Sequence, residues 1–264
     1  MRKSLVAASL MSVVVVAPAF ADDAPPPPPV TGNLTLASEY IYRGIAQTNR
    51  KPAVQGGMDY AAPYGFYLGT WASNISWLSD ACSAGSSCNG PVSAPMEWDF
   101  YGGYKFDAGP LSFDFGVLKY YYPGTFPAGF VNPDTLEVYG ATSWKFMSFK
   151  YSRSVSDLFG AESVQTDGTL KDSKGSQYFD LSANPDLGAG FTLNAHIGRQ
   201  LVANFPGASY TDWKLGVTKD VKSWNVSLAY IGTNANGGTG EFYRSALNRD
   251  LGSDRIVASI GKTF

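Results

Sequence analysis

After Val16 the chain contains no further long apolar run, which excludes a protein of helical inner-membrane spans, since each span needs about 20 consecutive apolar residues. It also lacks an excess of charge of either sign: 20 Lys and Arg against 22 Asp and Glu give a formal net charge of −2. Without a broad basic field, nucleic acid is not expected as a partner. Cysteine is nearly absent, with Cys82 and Cys88 alone, and His196 is the single histidine. Two sulfurs without nearby Cys or His cannot complete a structural zinc site, so no metal and no cofactor are expected.

At the N-terminus, Arg2 and Lys3 precede the apolar run Leu5 to Val16 and the small-residue site Ala19-Phe20-Ala21. This is the pattern of a secretory signal peptide over residues 1–21, with cleavage expected before Asp22. Residues 22–32 then form a proline-rich lead whose five consecutive prolines, Pro25 to Pro29, favour extended polyproline II and supply no ladder donors. An exported chain meets an oxidising compartment, so Cys82 and Cys88 are expected to pair as a local loop disulfide.

The remainder is rich in aromatics and glycine: 16 Tyr, 16 Phe, 6 Trp and 29 Gly, with a mean hydropathy of only −0.11. Soluble domains bury aromatics, whereas transmembrane β-barrels turn them outward in girdles and keep a polar lumen, which leaves mean hydropathy ordinary. Alternating segments suggest about 12 strands, near 33–43, 53–61, 66–76, 96–106, 111–122, 135–146, 147–154, 176–184, 191–200, 211–219, 224–233 and 254–264. Some connections are short and carry turn residues, as in Ala62-Pro63-Tyr64-Gly65 and Asp107-Ala108-Gly109-Pro110. Others are long and rich in Gly, Ser, Asn and Pro, as from Trp77 to Pro95 and Asn234 to Ser253. Short periplasmic turns and long extracellular loops are the asymmetry of an outer-membrane barrel. A soluble sandwich has no reason to keep it.

Aromatics beside the short turns, Phe66, Phe106, Trp144, Phe146, Phe191, Trp224 and Phe264, predict a girdle at one interface. The last strand sets Ile256, Ala258, Ile260 and Phe264 on one face, and the terminal Phe264 resembles the signal that such barrels present to the barrel-assembly machinery. The fold expected over 33–264 is therefore an all-β antiparallel transmembrane barrel in the outer membrane of a Gram-negative cell, in contact with outer-membrane lipid.

If the apolar face meets lipid, the opposite face carries Glu39, Arg43, Glu97, Asp99, Asp114, Glu137, Lys145, Lys150, Asp180, His196, Lys214 and Arg255 as pore-lining candidates. A lysine or arginine on the lipid face at mid-depth costs roughly 2 to 4 kcal/mol, which forces such residues inward. Six acids against five bases predict weak selectivity with a slight cation preference. His196 alternates with Phe191, Leu193, Ala195 and Ile197, and no local motif marks a serine nucleophile, so no catalytic residues and no enzyme activity are expected.

Several stretches carry a resemblance: Ser38-Glu-Tyr-Ile-Tyr-Arg-Gly-Ile-Ala-Gln-Thr48, Pro52 to Tyr60, Gly65 to Ile75, Glu97 to Tyr104, Gly216 to Asp220 and the C-terminal strand. Together they resemble the TorF family of porins, also catalogued as Gcw-type conserved hypothetical proteins of the outer membrane. The resemblance covers essentially the mature chain and implies an outer-membrane barrel with porin activity; it brings no catalytic or solute-binding residues. Within these motifs Arg43-Gly44 and Gly56-Gly57 are also what strand bending would require. The expected function is passive diffusion of small polar or ionic solutes, and the alternative is a non-conducting barrel that binds a partner through its extracellular loops.

Overall fold

The computed structural model describes residues 29–82, 88 and 90–264; the expected signal peptide and most of the proline-rich lead lie outside them. Twelve strands run antiparallel in chain order: β1 (Val30–Ala37), β2 (Ala53–Ala61), β3 (Phe66–Asn74), β4 (Met96–Ala108), β5 (Leu111–Tyr121), β6 (Thr135–Trp144), β7 (Met147–Ser154), β8 (Gln177–Ala183), β9 (Phe191–Leu201), β10 (Tyr210–Val221), β11 (Trp224–Thr233) and β12 (Arg255–Thr263). Each pairs with its sequence neighbours, and β12 closes on β1 with the register Asn33↔Thr263 through Ala37↔Ser259. Closure satisfies every strand edge, which hydrocarbon would otherwise penalise by several kcal/mol per unpaired group. The short piece Asp186–Gly188 continues the β8 edge along β9 past a register shift.

The alternation of side chains explains why these segments close with the polar face inside. In β11, Trp224, Val226, Leu228 and Tyr230 stand exposed on the outside, while Asn225, Ser227, Ala229 and Ile231 point inward. All seven aromatics expected in the girdle are exposed beside the short-turn end. Exposed apolar side chains such as Leu34, Leu68, Phe115, Val138, Leu215 and Ile256 continue that surface across the wall. A closed barrel clothed in apolar side chains is an outer-membrane protein, because lipid alone makes such a surface favourable.

Two boundaries differ from expectation. Strand β1 begins at Val30, where Val30 pairs with Tyr60, rather than at residue 33. It also ends at Ala37, not at residue 43. Residues 38–52 leave the wall and fold into the barrel, where Ile41–Tyr42 and Ile45–Ala46 form a small hairpin. Alternation could not distinguish this: an inward-folded hairpin of β-branched and aromatic residues reads locally like a continuing strand.

The apolar core of the molecule therefore lies under the long loops. Tyr40 packs with Ile75, Leu78, Val92, Tyr120 and Tyr122; Ile45 with Leu158, Val202, Tyr210 and Tyr243; Ile41 and Ala46 with Ala229, Ile231 and Val257. Segment 38–52 contributes to all three clusters. Over it lie a short helix, α1 (Trp77–Ala81), and the Cys82–Cys88 disulfide.

Candidate functional site

The hairpin tip is Arg43-Gly44, both with positive φ, 45° and 80°. Two successive left-handed residues make the tight turn of a two-residue hairpin, and Gly44 tolerates it without strain. Space demands glycine as well: a Cβ on Gly44 would lie 2.3 Å from Thr233 Cγ2 and 2.8 Å from Asp212 Cβ.

This turn delivers the Arg43 guanidinium across the bore to the wall opposite β1. Arg43 Nη1 and Nη2 donate to the two Glu137 carboxylate oxygens at 3.0 and 2.7 Å, and Nη1 donates to Gln200 Oε1 at 2.9 Å. Glu137 stands on β6 and Gln200 on β9, so one side chain links the start of the barrel to its far side. Its Cζ lies 4.1 Å from the Tyr178 ring centroid and 4.9 Å from that of Tyr42, which adds cation–π attraction in a buried setting. Burial opposes the Arg43 charge, but the Glu137 carboxylate outweighs it and holds the guanidinium well above its ordinary range.

Tyrosines tie the segment to the acids of the wall. Tyr40 donates to Glu97 Oε1, Tyr122 donates to Glu97 Oε2 at 2.6 Å, and Tyr42 shares a hydrogen bond with Tyr120 at 2.8 Å. Burial pushes the Tyr40 and Tyr42 phenols well up, so both stay protonated and able to donate. At the base of the segment Glu39 Oε1 accepts from the Arg50 backbone N–H at 2.6 Å and from Arg255 Nη1 at 3.1 Å. Asp99, between these groups on β4, is buried and its Oδ1 has no hydrogen-bond partner among the described residues.

Toward the short turns the lumen changes character. Inward side chains there are shorter or partly exposed: Asp59, Lys105, Ser148, Lys150, Ser182, His196, Lys214, Ser227 and Ser259. Lys105 pairs with Asp114 at 3.7 Å, while Lys150 stands 4.0 Å from the Tyr139 ring centroid. His196 is clasped by two acids, with Nδ1 3.2 Å from Asp180 Oδ2 and Nε2 2.7 Å from Asp212 Oδ1.

Ser182 Oγ lies 3.3 Å from His196 Nδ1, so serine, histidine and aspartate do meet inside the barrel. The serine is engaged with an acid as well as lying near the ring. Ser182 donates to Asp180 Oδ1 at 2.7 Å, and each ring nitrogen of His196 lies beside a carboxylate oxygen, so the serine proton is directed at an acid rather than at the ring. The cluster is an ion-pair brace between β8, β9 and β10.

Of the twelve pore-lining candidates, Glu97, Asp99, Asp114, Glu137, Lys150, Asp180, His196, Lys214 and Arg255 lie on inward positions of the wall. Glu39 and Arg43 are inside too, though on the inserted segment rather than on a strand. Lys145 is a correction: it occupies the exposed turn between β6 and β7 with φ of 55°, its ammonium 4.6 Å from the Trp144 ring centroid. Turn geometry takes it out of the strand alternation on which the inward assignment rested. Asp212, on the same face as Lys214, was missed although the alternation would have found it. The inward tyrosines Tyr40, Tyr42, Tyr120, Tyr122 and Tyr178 carry no such signal, because tyrosine suits a lipid interface equally well.

Comparisons with known proteins agree with the architecture. The chain resembles the NanC porin with a TM-score of 0.53 at 11% identity, over 89% of this chain and 98% of that one. It also matches the KdgM porin in complex with disordered oligogalacturonate (TM-score 0.49, 7% identity, 89% and 98% covered) and an anion-selective porin from Comamonas acidovorans (0.39, 11%, 89% and 97%). At such identities the likeness to the NanC porin shows the barrel fold alone, and the two lower scores carry no argument. Among curated protein sequences, none matches the chain. The model of the Gcw_chp family, described as bacterial protein of unknown function, matches residues 21–264, and the chain belongs to that family.

Proposed function

We propose that the protein is a porin-like channel of narrow bore that passes small polar or ionic solutes with weak selectivity. The observation that carries this reading is the partly exposed polar lining between the inserted segment and the short turns, where Asp59, Lys105, Lys150 and Lys214 stand among serines. A barrel that needed only to fill its interior would bury such charges in pairs, whereas Lys150 and Lys214 have no carboxylate within 4.0 Å among the described residues. Porin activity is also what the resemblance to the TorF family implies, and the barrel shared with the NanC porin accords with it. Segment 38–52 sets the limiting width. The reading gives no role to a nucleophile or a cofactor, and it takes Phe264 as the residue that the assembly machinery recognises.

A second reading is supported by the same segment. Tyr40, Thr48 and Asn49 are nearly or fully buried and Arg43 spans the bore, which is what a sealed barrel presenting its loops to a partner requires. Planar-bilayer recording of the purified protein in a salt gradient separates the two. Small, weakly selective single-channel steps are expected; absence of steps from the wild type, with steps appearing on removal of the Arg43 side chain, favours the sealed barrel.

A further inference from the structure

The lysines of the short-turn rim are distributed unevenly. On the lipid-facing side of β2 to β5 the rim is aromatic without an outward lysine: Phe66, Tyr104 and Phe106 pack in sequence, with ring centroids 5.0 and 5.7 Å apart. Along β9 to β12 the rim instead combines aromatics with three lysines. Lys219 Nζ lies 4.0 Å from the Phe191 ring centroid and donates to the Ala189 carbonyl. Lys262 Nζ lies 5.5 Å from the Trp224 centroid and 5.4 Å from that of Phe264, and Trp224 is its register partner across β11 and β12. Lys222 sits in the turn between Lys219 and Trp224.

Two features describe this patch. First, Lys222 and Ser223 occupy successive left-handed positions, φ 54° and 71°, in a two-residue hairpin turn that sets the Lys222 side chain at the rim beside Trp224. Second, the nearby carboxylates are occupied elsewhere: Asp220 Oδ1 accepts from the Ser223 N–H at 3.0 Å, and Asp186 Oδ1 accepts from the Gly188 N–H at 2.8 Å. None of the three lysines has a carboxylate within 4.0 Å among the described residues.

We propose that Lys219, Lys222 and Lys262, set around Trp224 and flanked by Phe191 and Phe264, form a binding site for the phosphate headgroup of an anionic phospholipid in the periplasmic leaflet. The aromatic side chains place the lysine ammonium groups at headgroup depth, and three uncompensated cations on adjoining strands supply the charge. The site faces lipid, so it is independent of whether the lumen conducts.

Native mass spectrometry of the folded protein, released from micelles doped equally with phosphatidylglycerol and phosphatidylethanolamine, reads the site directly. Wild-type protein should retain phosphatidylglycerol preferentially, by about five-fold for each lysine engaged. The triple variant Lys219→Gln, Lys222→Gln, Lys262→Gln should fall to parity, while Lys145→Gln, on the other side of the rim, should keep the wild-type preference. Heat-modifiable mobility checks that each variant is folded; should the triple variant fail, Lys262→Gln alone must at least halve the preference. Equal retention of the two lipids by wild type, an unchanged preference in the lysine variants, or an equal loss in Lys145→Gln would overturn the proposal. Displacement of the bound lipid by millimolar inorganic phosphate would also overturn it, since the site would then recognise free phosphate.

Discussion

The two halves of the barrel interior are built on opposite principles. Toward the long loops, aromatic and charged groups of segment 38–52 meet the wall in buried pairs, with the Arg43 fork on Glu137 and the Tyr40 and Tyr122 hydroxyls on Glu97. Toward the short turns, the wall presents partly exposed lysines and serines with no inserted chain between them. In the first half these pairs are buried, so a broken pair leaves a stranded charge. In the second the lysines and serines are only half-buried, so substituting them should change the local field more than stability.

The sharpest test of that difference is Arg43. Replacing it with Met strands the Glu137 carboxylate in a dry site, which should cost about 3 to 5 kcal/mol as for other broken buried pairs. The double variant Arg43→Met, Glu137→Met should recover much of the loss, because no unpaired charge remains. Urea unfolding of the barrel in detergent measures both, and single-channel recording should show larger steps in each. Equal destabilisation of the single and double variants would mean that the segment is held by its apolar contacts rather than by the fork.

A smaller loss is expected at the boundary between the halves. Asp212→Asn removes the charged partner of His196 Nε2 and an acceptor for the Tyr178 hydroxyl, worth about 1.5 to 3 kcal/mol for a hydrogen bond to a charged group. The brace retains Asp180 on the other ring nitrogen, so the barrel should still fold. A cost as large as that of Arg43→Met would show that the dry region extends to mid-depth.

Asp99 and Asp114 compare the halves in electrical terms. Both are buried on inward positions of adjoining strands, but Asp99 is enclosed beside the inserted segment, whereas Asp114 pairs with its cross-strand neighbour Lys105 and accepts from the Tyr67 hydroxyl. Asp114→Asn should free Lys105 and move the reversal potential toward anions at 0.1 M salt, with the shift fading as the Debye length falls from about 10 Å to about 3 Å at 1 M. Asp99→Asn should move it less. The reverse order in bilayer recordings would put the solute path beside Asp99.

Much of the fold was legible because a closed barrel repeats one local rule. Inside–outside alternation located β11 to the residue, and aromatics beside short turns marked the interface to within a side chain. The rule failed where the chain leaves the wall. Glu39 and Arg43 alternate as if on a strand, yet the positive φ at Arg43-Gly44 turns the segment back on itself inside the barrel. Lys145 failed for the same reason in reverse, since a turn residue belongs to neither face. Burial divides the charged groups further: Lys150 and Asp99 look equivalent in sequence, yet Lys150 is half-buried and Asp99 buried.

The smallest effect should come from the one covalent link, because it lies outside both halves. Cys82–Cys88 encloses five residues in the loop that follows α1, a loop too short to remove more chain entropy than the roughly 3 kcal/mol estimated for 15 residues. The ring it closes is local in the chain, so little of that entropy should reach the barrel transition. Reduction under native conditions should leave the urea midpoint almost unchanged, and thiol labelling before and after reduction checks that the bond was present and then broken. The apolar contacts of Leu78 and Ile75 with Tyr40 supply the route by which this expectation can fail. If reduction lowers the midpoint by as much as Arg43→Met, then the loop holds the inserted segment in place, and the dry half of the barrel extends outward through α1 to the disulfide.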